Sequence, residues 1–210
     1  MKTYFHKTPT WLKKLYPSLI WNFKSDKKKV WLTFDDGPTD KLTQWILDCL
    51  DQFNARATFF CVGENLIKHP NLTNQMVEKG HVVANHSHNH LNGWKTDVES
   101  YVENVNKCQL HLPVKNNLYR PPYGKITRNQ IKQLKALKKD IIMWDVLSGD
   151  FDLNLSPEAC FEASVRYTSP GSIIVFHDNI KAENRLKFTL PRYLEYLSMK
   201  NYTFEVCGNT

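Results

Sequence analysis

The chain has 210 residues, with 28 Lys and Arg against 21 Asp and Glu, a formal charge of +7 and a pI of about 9.1. Hydrophobic residues make up 41% and charged residues 23%. That is the balance of an ordinary globular domain long enough to bury its own core, and it excludes disorder, collagen and coiled coil as the main state. The charge excess is local: residues 1–29 hold eight Lys against the single acid Asp26, and residues 30–210 are neutral. A basic body suited to nucleic acid is therefore excluded, and no recognition motif accompanies the lysines, so no nucleic-acid partner is expected.

Residues 1–29 read as a basic leader and residues 30–210 as one catalytic domain. The leader interleaves its Lys with Tyr4, Phe5, Trp11, Tyr16, Trp21 and Phe23. That mixture suits peripheral contact with anionic lipid; the plainer alternative is a lead-in strand and loop that packs its aromatics on the domain. Its longest apolar run, Leu15–Trp21, is broken by Pro17. It is too short for a membrane span of ~20 residues, and it lacks the cleavage site that follows a secretory h-region of ~7–15. A cytoplasmic or peripherally membrane-associated protein is expected, with a cell-envelope substrate still open.

The first β-rich run, Val30–Phe34, leads straight into Asp35-Asp36-Gly37-Pro38. Adjacent side chains diverge, so one carboxylate can bind a metal while the other acts as a base; an Asp-Gly turn is the structural alternative. Leu42, Ile46, Leu47 and Leu50 form a helical stripe, and Ala57–Val62 is the next strand. Leu66, Ile67, Met76 and Val77 mark a further helical stretch that stops at Gly80. The third strand, His81–Ala84, precedes His86-Ser87-His88-Asn89-His90. If this segment is helical, His86 and His90 share a face at i,i+4 in a metal-chelating arrangement, and His88 points elsewhere, exposed or in support.

Thr96-Asp97-Val98-Glu99 and Thr127-Arg128-Asn129-Gln130 have the capping-box pattern, and Ser156-Pro157 places a cap before a first-turn Pro. Between these starts lies the strand Leu118–Arg120, running into Pro121-Pro122-Tyr123-Gly124. Two prolines remove two N–H donors, so the Tyr123 N–H is the next one able to serve an oxyanion, and Arg120 can hold a carboxylate. The run Ile141–Val146 leads past Asp145 to Asp150-Phe151-Asp152; Ser172–Phe176 ends in His177-Asp178; Tyr202–Val206 closes the series. A His at a strand end beside carboxylates is a natural general acid. The five cysteines, Cys49, Cys61, Cys108, Cys160 and Cys207, have no CxxC spacing and sit in apolar runs, so they read as reduced core residues.

Strands alternating with helices imply a mostly parallel sheet of about seven strands, open or closed as a small barrel, with chemistry at the C-terminal strand ends. Two His and one carboxylate leave an open position for water, the pattern of a catalytic zinc site.

TFDDGP (Thr33–Pro38), HSHNH (His86–His90), RPPY (Arg120–Tyr123) and VFH (Val175–His177) resemble, in order, the motifs of the polysaccharide deacetylases. These are the NodB-homology enzymes of carbohydrate esterase family 4. The resemblance implies an α/β fold, a single-domain distorted (β/α) barrel. It also implies a divalent metal, zinc above cobalt, nickel or manganese, and removal of N-acetyl groups from N-acetylglucosamine-containing glycans of the peptidoglycan or chitin kind. By position, Asp35 resembles the catalytic base and His177 the catalytic histidine. Asp36, His86 and His90 resemble the metal ligands, Arg120 the group that orients Asp35, and Asp150 the acid that tunes His177. Two positions depart from the family pattern: Phe151 stands where a Trp is usual and Val175 where a Leu is usual. Both belong, with Pro122, to the expected substrate pocket, so acyl or sugar specificity is open. A monomer is expected. The alternatives are a deacetylase of a lipid-linked or small amino sugar, and a silent glycan-binding protein on the same fold, although no metal or catalytic position is missing.

Overall fold

The apolar runs become the strands of one parallel sheet in a computed structural model, which describes residues 4–208. Residues 1–3 of the leader and 209–210 lie outside the described residues. The strands are β1 (Lys29–Asp36), β2 (Thr58–Cys61), β3 (Val82–Asn85), β4 (Leu118–Tyr119), β5 (Asp140–Ile141), β6 (Val146–Leu147), β7 (Ile173–His177) and β8 (Thr203–Glu205). Seven follow the order β5-β4-β3-β2-β1-β7-β6, and β8 joins the start of β1. The result is a single-domain half-barrel of the expected α/β class.

Side-chain alternation along β1 sorts its residues between two environments. Val30, Leu32 and Phe34 pack with the buried stripe Leu42, Ile46, Leu47 and Leu50 of α2 (Asp40–Gln52) and with Leu186 and Leu190 of α8 (Glu183–Met199). Each such fully buried side chain contributes roughly 1.5–3 kcal/mol. Trp31, Thr33 and Asp35 occupy the opposite face: Trp31 joins Phe60, Ala84 and Ile173, while Thr33 and Asp35 both meet Arg120. The site is therefore built on the inner face of the same strand whose outer face forms the core.

The helical stretch around Leu66 and Met76 is two helices, α3 (Gly63–Lys68) and α4 (Pro70–Glu78), because Pro70 starts a new first turn after His69. Leu66 and Met76 are buried, but Ile67 is exposed. The next helix, α5 (Val98–Gln109), is capped by Asp97, whose carboxylate accepts from the Ser100 N–H at 2.9 Å; Thr96 is not the cap. In α6 (Arg128–Ala136) both bonds of the Thr127–Gln130 capping box form, and α7 (Pro157–Tyr167) is capped by Ser156. All five cysteines are buried and free. Among the described residues no helix is long and apolar enough to cross a membrane.

The expected strand Ile141–Val146 is divided. Its ends are β5 and β6, the two outer edges of the sheet, and Ile142–Asp145 spans the open seam between them. Open edges leave unpaired backbone groups, and the leader supplies partners. Lys7 pairs antiparallel with Val146, Ile20 parallel with Ile142, and Asn22 antiparallel with Ser172. Leu19 and Trp21 are buried beside Tyr119 and Ile141. The short helix α1 (Thr10–Leu15) links these contacts. Asp145 fastens the segment: Lys7 donates to its Oδ2 at 2.5 Å, Lys13 donates to its Oδ1, and Ser172 Oγ adds a bond of 2.7 Å. Two of the leader's lysines are thus spent on one buried carboxylate.

Candidate active site

The C-terminal ends of β1, β3, β4 and β7 bring Asp35, Asp36, His86, Arg120 and His177 to one end of the half-barrel. Asp35 and His177 are register partners on adjacent strands, and the Asp178 N–H donates to the Asp35 carbonyl at 2.8 Å. The expected base and the expected acid therefore stand side by side.

Arg120 lies fully buried beneath Asp35. Its Nη1 donates to Asp35 Oδ1 and to Thr33 Oγ1, both at 2.7 Å. Nε and Nη2 donate to the Ile142 and Met143 carbonyls at 3.1 and 2.9 Å, and the guanidinium sits 4.1 Å from the Phe60 ring centroid. A planar fork held on every side fixes one carboxylate oxygen and leaves the other, Oδ2, facing His86 Nε2 at 4.0 Å.

Asp36, His86 and His90 each offer a ligand atom, all within 4.8 Å of one another. Asp36 Oδ1 lies 3.0 Å from His90 Nε2 and 3.6 Å from His86 Nε2. A divalent ion fits this set on the tautomer of His86. Its Nδ1 meets the Arg120 carbonyl at 2.8 Å, and a carbonyl only accepts, so Nδ1 carries the proton. In the neutral ring Nε2 is then a lone pair aimed at a carboxylate, an arrangement completed by a cation. Asn179 Nδ2 donates to Asp36 Oδ2 at 2.5 Å, and Asn65 Nδ2 to the Asp36 carbonyl at 2.8 Å.

The two histidines do not converge through a helix. Residues 86–90 are irregular, and the left-handed φ values of Ser87 (64°) and His90 (55°) fold His90 back beside His86. Ser87 is held by Asn85, whose Oδ1 accepts the Ser87 N–H at 2.8 Å. His88 is neither exposed nor at the site: it is 3% exposed, packed against His111, and burial lowers its pKa.

His177 stands at the end of β7, and Asp150, from the loop after β6, grips it twice, accepting from Nδ1 and from the backbone N–H, each at 2.7 Å. Burial opposes the imidazolium, but Asp150, reinforced by Asp36 and Asp35, raises the His177 pKa to about 9. With Nδ1 bonded to Asp150, Nε2 is the proton-carrying atom available to a substrate.

Tyr123 has a left-handed φ of 59°, and its ring meets His90 edge-on at 4.5 Å. The Gly124 and Lys125 N–H groups bond to the Pro121 and Pro122 carbonyls, and the Tyr123 N–H takes no part in those two bonds. Pro122 is buried, Phe151 packs edge-on against His177 at 4.9 Å, and Val175 is fully buried two residues before His177 on its face of β7. Asp145, at the seam, stands apart from this cluster.

Several supporting residues escaped the sequence reading. Asp178 is fully buried; its carboxylate accepts from Thr39 Oγ1 at 2.6 Å and Thr43 Oγ1 at 2.5 Å, and burial raises its pKa to about 6. A Cβ on Gly37 would fall 2.1 Å from Asp178 Oδ2, so only glycine admits that carboxylate under the turn after Asp36. Thr33 and Asn179, within two residues of Asp35 and His177, were findable by proximity; Asn65 and Thr43 were not.

Comparison with known proteins identifies the family. The profile of the polysaccharide deacetylases matches residues 23–142. Two peptidoglycan-N-acetylglucosamine deacetylases of Bacillus cereus are 36% identical over 72% of this chain and 29% identical over 91% of it. The chain spans 56% of the length of the first and 93% of the second. A crystal structure of a peptidoglycan N-acetylglucosamine deacetylase with a naphthyl N-hydroxybenzamide superposes with a TM-score of 0.87 at 30% identity, covering 95% of both chains. The chain belongs to the polysaccharide deacetylase family.

Proposed function

We propose that this chain is a metal-dependent hydrolase that removes N-acetyl groups from N-acetylglucosamine units, with peptidoglycan as the first substrate to consider. The observation that carries the reading is the pairing of two clamped groups across one site: Asp35 held by Arg120, and His177 held by Asp150. The peptidoglycan deacetylases among its relatives support the substrate class. Asp36, His86 and His90 would hold the ion, and two imidazoles with one carboxylate suit zinc. When bound, the ion supplies Lewis acidity toward the acetamide carbonyl and the attacking water.

Asp35 Oδ2 accepts the proton of the attacking water, while Arg120 keeps Oδ1 occupied and the carboxylate plane fixed. The Tyr123 N–H donates to the developing oxyanion. His177 Nε2 then gives its proton to the departing amine, and Asp150 steadies the charge that His177 carries before transfer. Acetate and a free amino sugar result. The reading is tested by acetate release from N-acetylglucosamine oligomers and peptidoglycan, with a chelator and with added zinc; no release from any of them with zinc present refutes it.

A membrane-adjacent substrate is a second reading, favoured by one observation. Trp11 and Leu15 share a face of α1 at i,i+4, beside Lys14, and are 61% and 48% exposed. Sedimentation with anionic vesicles that disappears in Trp11→Ala supports it, and equal sedimentation of both proteins removes it.

A further inference from the structure

The leader does more than close the seam. Its antiparallel contact with β6, through the Lys7–Val146 bridge and the bond from the Leu147 N–H to the His6 carbonyl at 2.8 Å, delivers Tyr4 to the loop that carries Asp150. There the Tyr4 ring lies 5.1 Å from Phe151, and the Phe151 ring lies 4.9 Å from His177. Tyr4 Oη donates to Asp152 Oδ2 at 2.9 Å. The approach is close: a Cβ on Gly149 would meet Tyr4 Oη at 2.8 Å and the His6 ring at 2.9 Å. Gly149 also has a φ of +80°, so glycine at this position serves both the turn and the contact.

We propose that Tyr4 is a positioning residue for the His177–Asp150 pair, acting through Phe151; this rests on the deacetylase reading of the site. Phe151 has no polar atom with which to anchor its ring. One of its neighbours is His177, whose side chain is 16% exposed and whose Asp150 bond depends on ring orientation. Tyr4 packs on Phe151 as well, and its own hydroxyl is tied to Asp152. The run of ring contacts Tyr4–Phe151–His177, one tilted and one edge-on, therefore braces the imidazole through a ring as well as through Asp150. Small displacements of a reacting group cost up to ~10²-fold in rate.

The test compares wild type, Tyr4→Ala, Tyr4→Phe and Tyr4→Ala with Phe151→Trp. Two readouts are used: kcat and KM on an N-acetylglucosamine oligomer with zinc, and the downfield proton resonance of His177 Nδ1–H, assigned by its loss in His177→Gln. Tyr4→Ala should lower kcat ~10-fold with KM unchanged and broaden the resonance. Tyr4→Phe, which keeps the ring, should recover most of both. Phe151→Trp, whose larger ring fills the vacated space, should restore the resonance and part of kcat in the Tyr4→Ala background. Wild-type kcat and an unchanged resonance in Tyr4→Ala overturn the proposal, as does a loss of thermal stability alone. If Tyr4→Ala does not fold, Tyr4→Leu keeps most of the volume without the ring and faces the same two outcomes. Failure of the deacetylase reading shows separately, as a wild-type protein that releases no acetate, and the resonance then decides this proposal alone.

Discussion

Arg120 offers the sharpest test of how the site is held. It is fully buried, and its donors serve the Asp35 carboxylate, the Thr33 hydroxyl and the Ile142 and Met143 carbonyls. Arg120→Ala removes all four bonds and strands a buried negative charge. Breaking a buried ion pair from one side costs about 3–5 kcal/mol. For a chain of this size each kcal/mol lowers Tm by roughly 2–4 °C, so the loss is about 6–20 °C. Asp35→Asn on its own also disturbs the site, because it leaves Arg120 facing a neutral group. The double variant Arg120→Ala with Asp35→Asn removes both charges of this buried pair, so the two costs should not add. A coupling of about 1–3 kcal/mol is expected from urea denaturation of the four proteins, within the range for residues in direct contact. Arg120→Lys should also fail to restore activity, since a single ammonium cannot reproduce a planar fork with four acceptors. Additive costs to within about 0.5 kcal/mol would refute the reasoning, because they would mean that Asp35 and Arg120 contribute independently.

Other outcomes follow from the same geometry. His86→Ala and His90→Ala should each lose bound zinc after dialysis, measured by elemental analysis, while Tyr123→Ala retains it. Turnover should fall as pH rises through about 9, where His177 loses its proton. An ion held at Asp36 would offset part of that carboxylate's pull, which would place the limb at or below this value. Asp150→Asn removes the principal cause of the raised pKa and should move the limb to lower pH. Asp145→Asn should destabilise the protein by ~1–3 kcal/mol, discounted for the partial exposure of Lys7 and Lys13, and should open the leader to limited proteolysis. Lys13 and Lys7 depress the Asp145 pKa against the effect of burial. Its contribution to stability is therefore present above the ordinary Asp pKa and is lost as pH falls through the depressed one.

Much of the fold was legible because β1, β2, β3 and β7 are continuous apolar runs and Thr127 and Ser156 announce their helices locally. The division of Ile141–Val146 was not legible, since β-propensity continues through a segment whose ends pair with different strands. The use of the leader was legible in part: a lead-in segment packing its aromatics on the domain was one of the two readings, and Trp21 is buried there, but its lysines suggested an external partner, whereas Lys7 and Lys13 answer Asp145 more than 130 residues away. Local spacing also misread the histidines. An i,i+4 pair suggests a helix, yet two left-handed residues bring His86 and His90 together in a loop. The residues around Asp35 and His177 stood out in the sequence because they are carboxylates and imidazoles at the ends of apolar runs, and the proposed chemistry calls for those groups. Thr43 and Asn65, which hold Asp178 and Asp36, come from elements that only the folded chain brings near.

The most direct test of the central claim is acetate release from an N-acetylglucosamine oligomer by zinc-loaded wild type and Asp35→Asn, with bound zinc measured in both. The account predicts release by wild type and none by Asp35→Asn at equal zinc content. Equal release by the two proteins would contradict it.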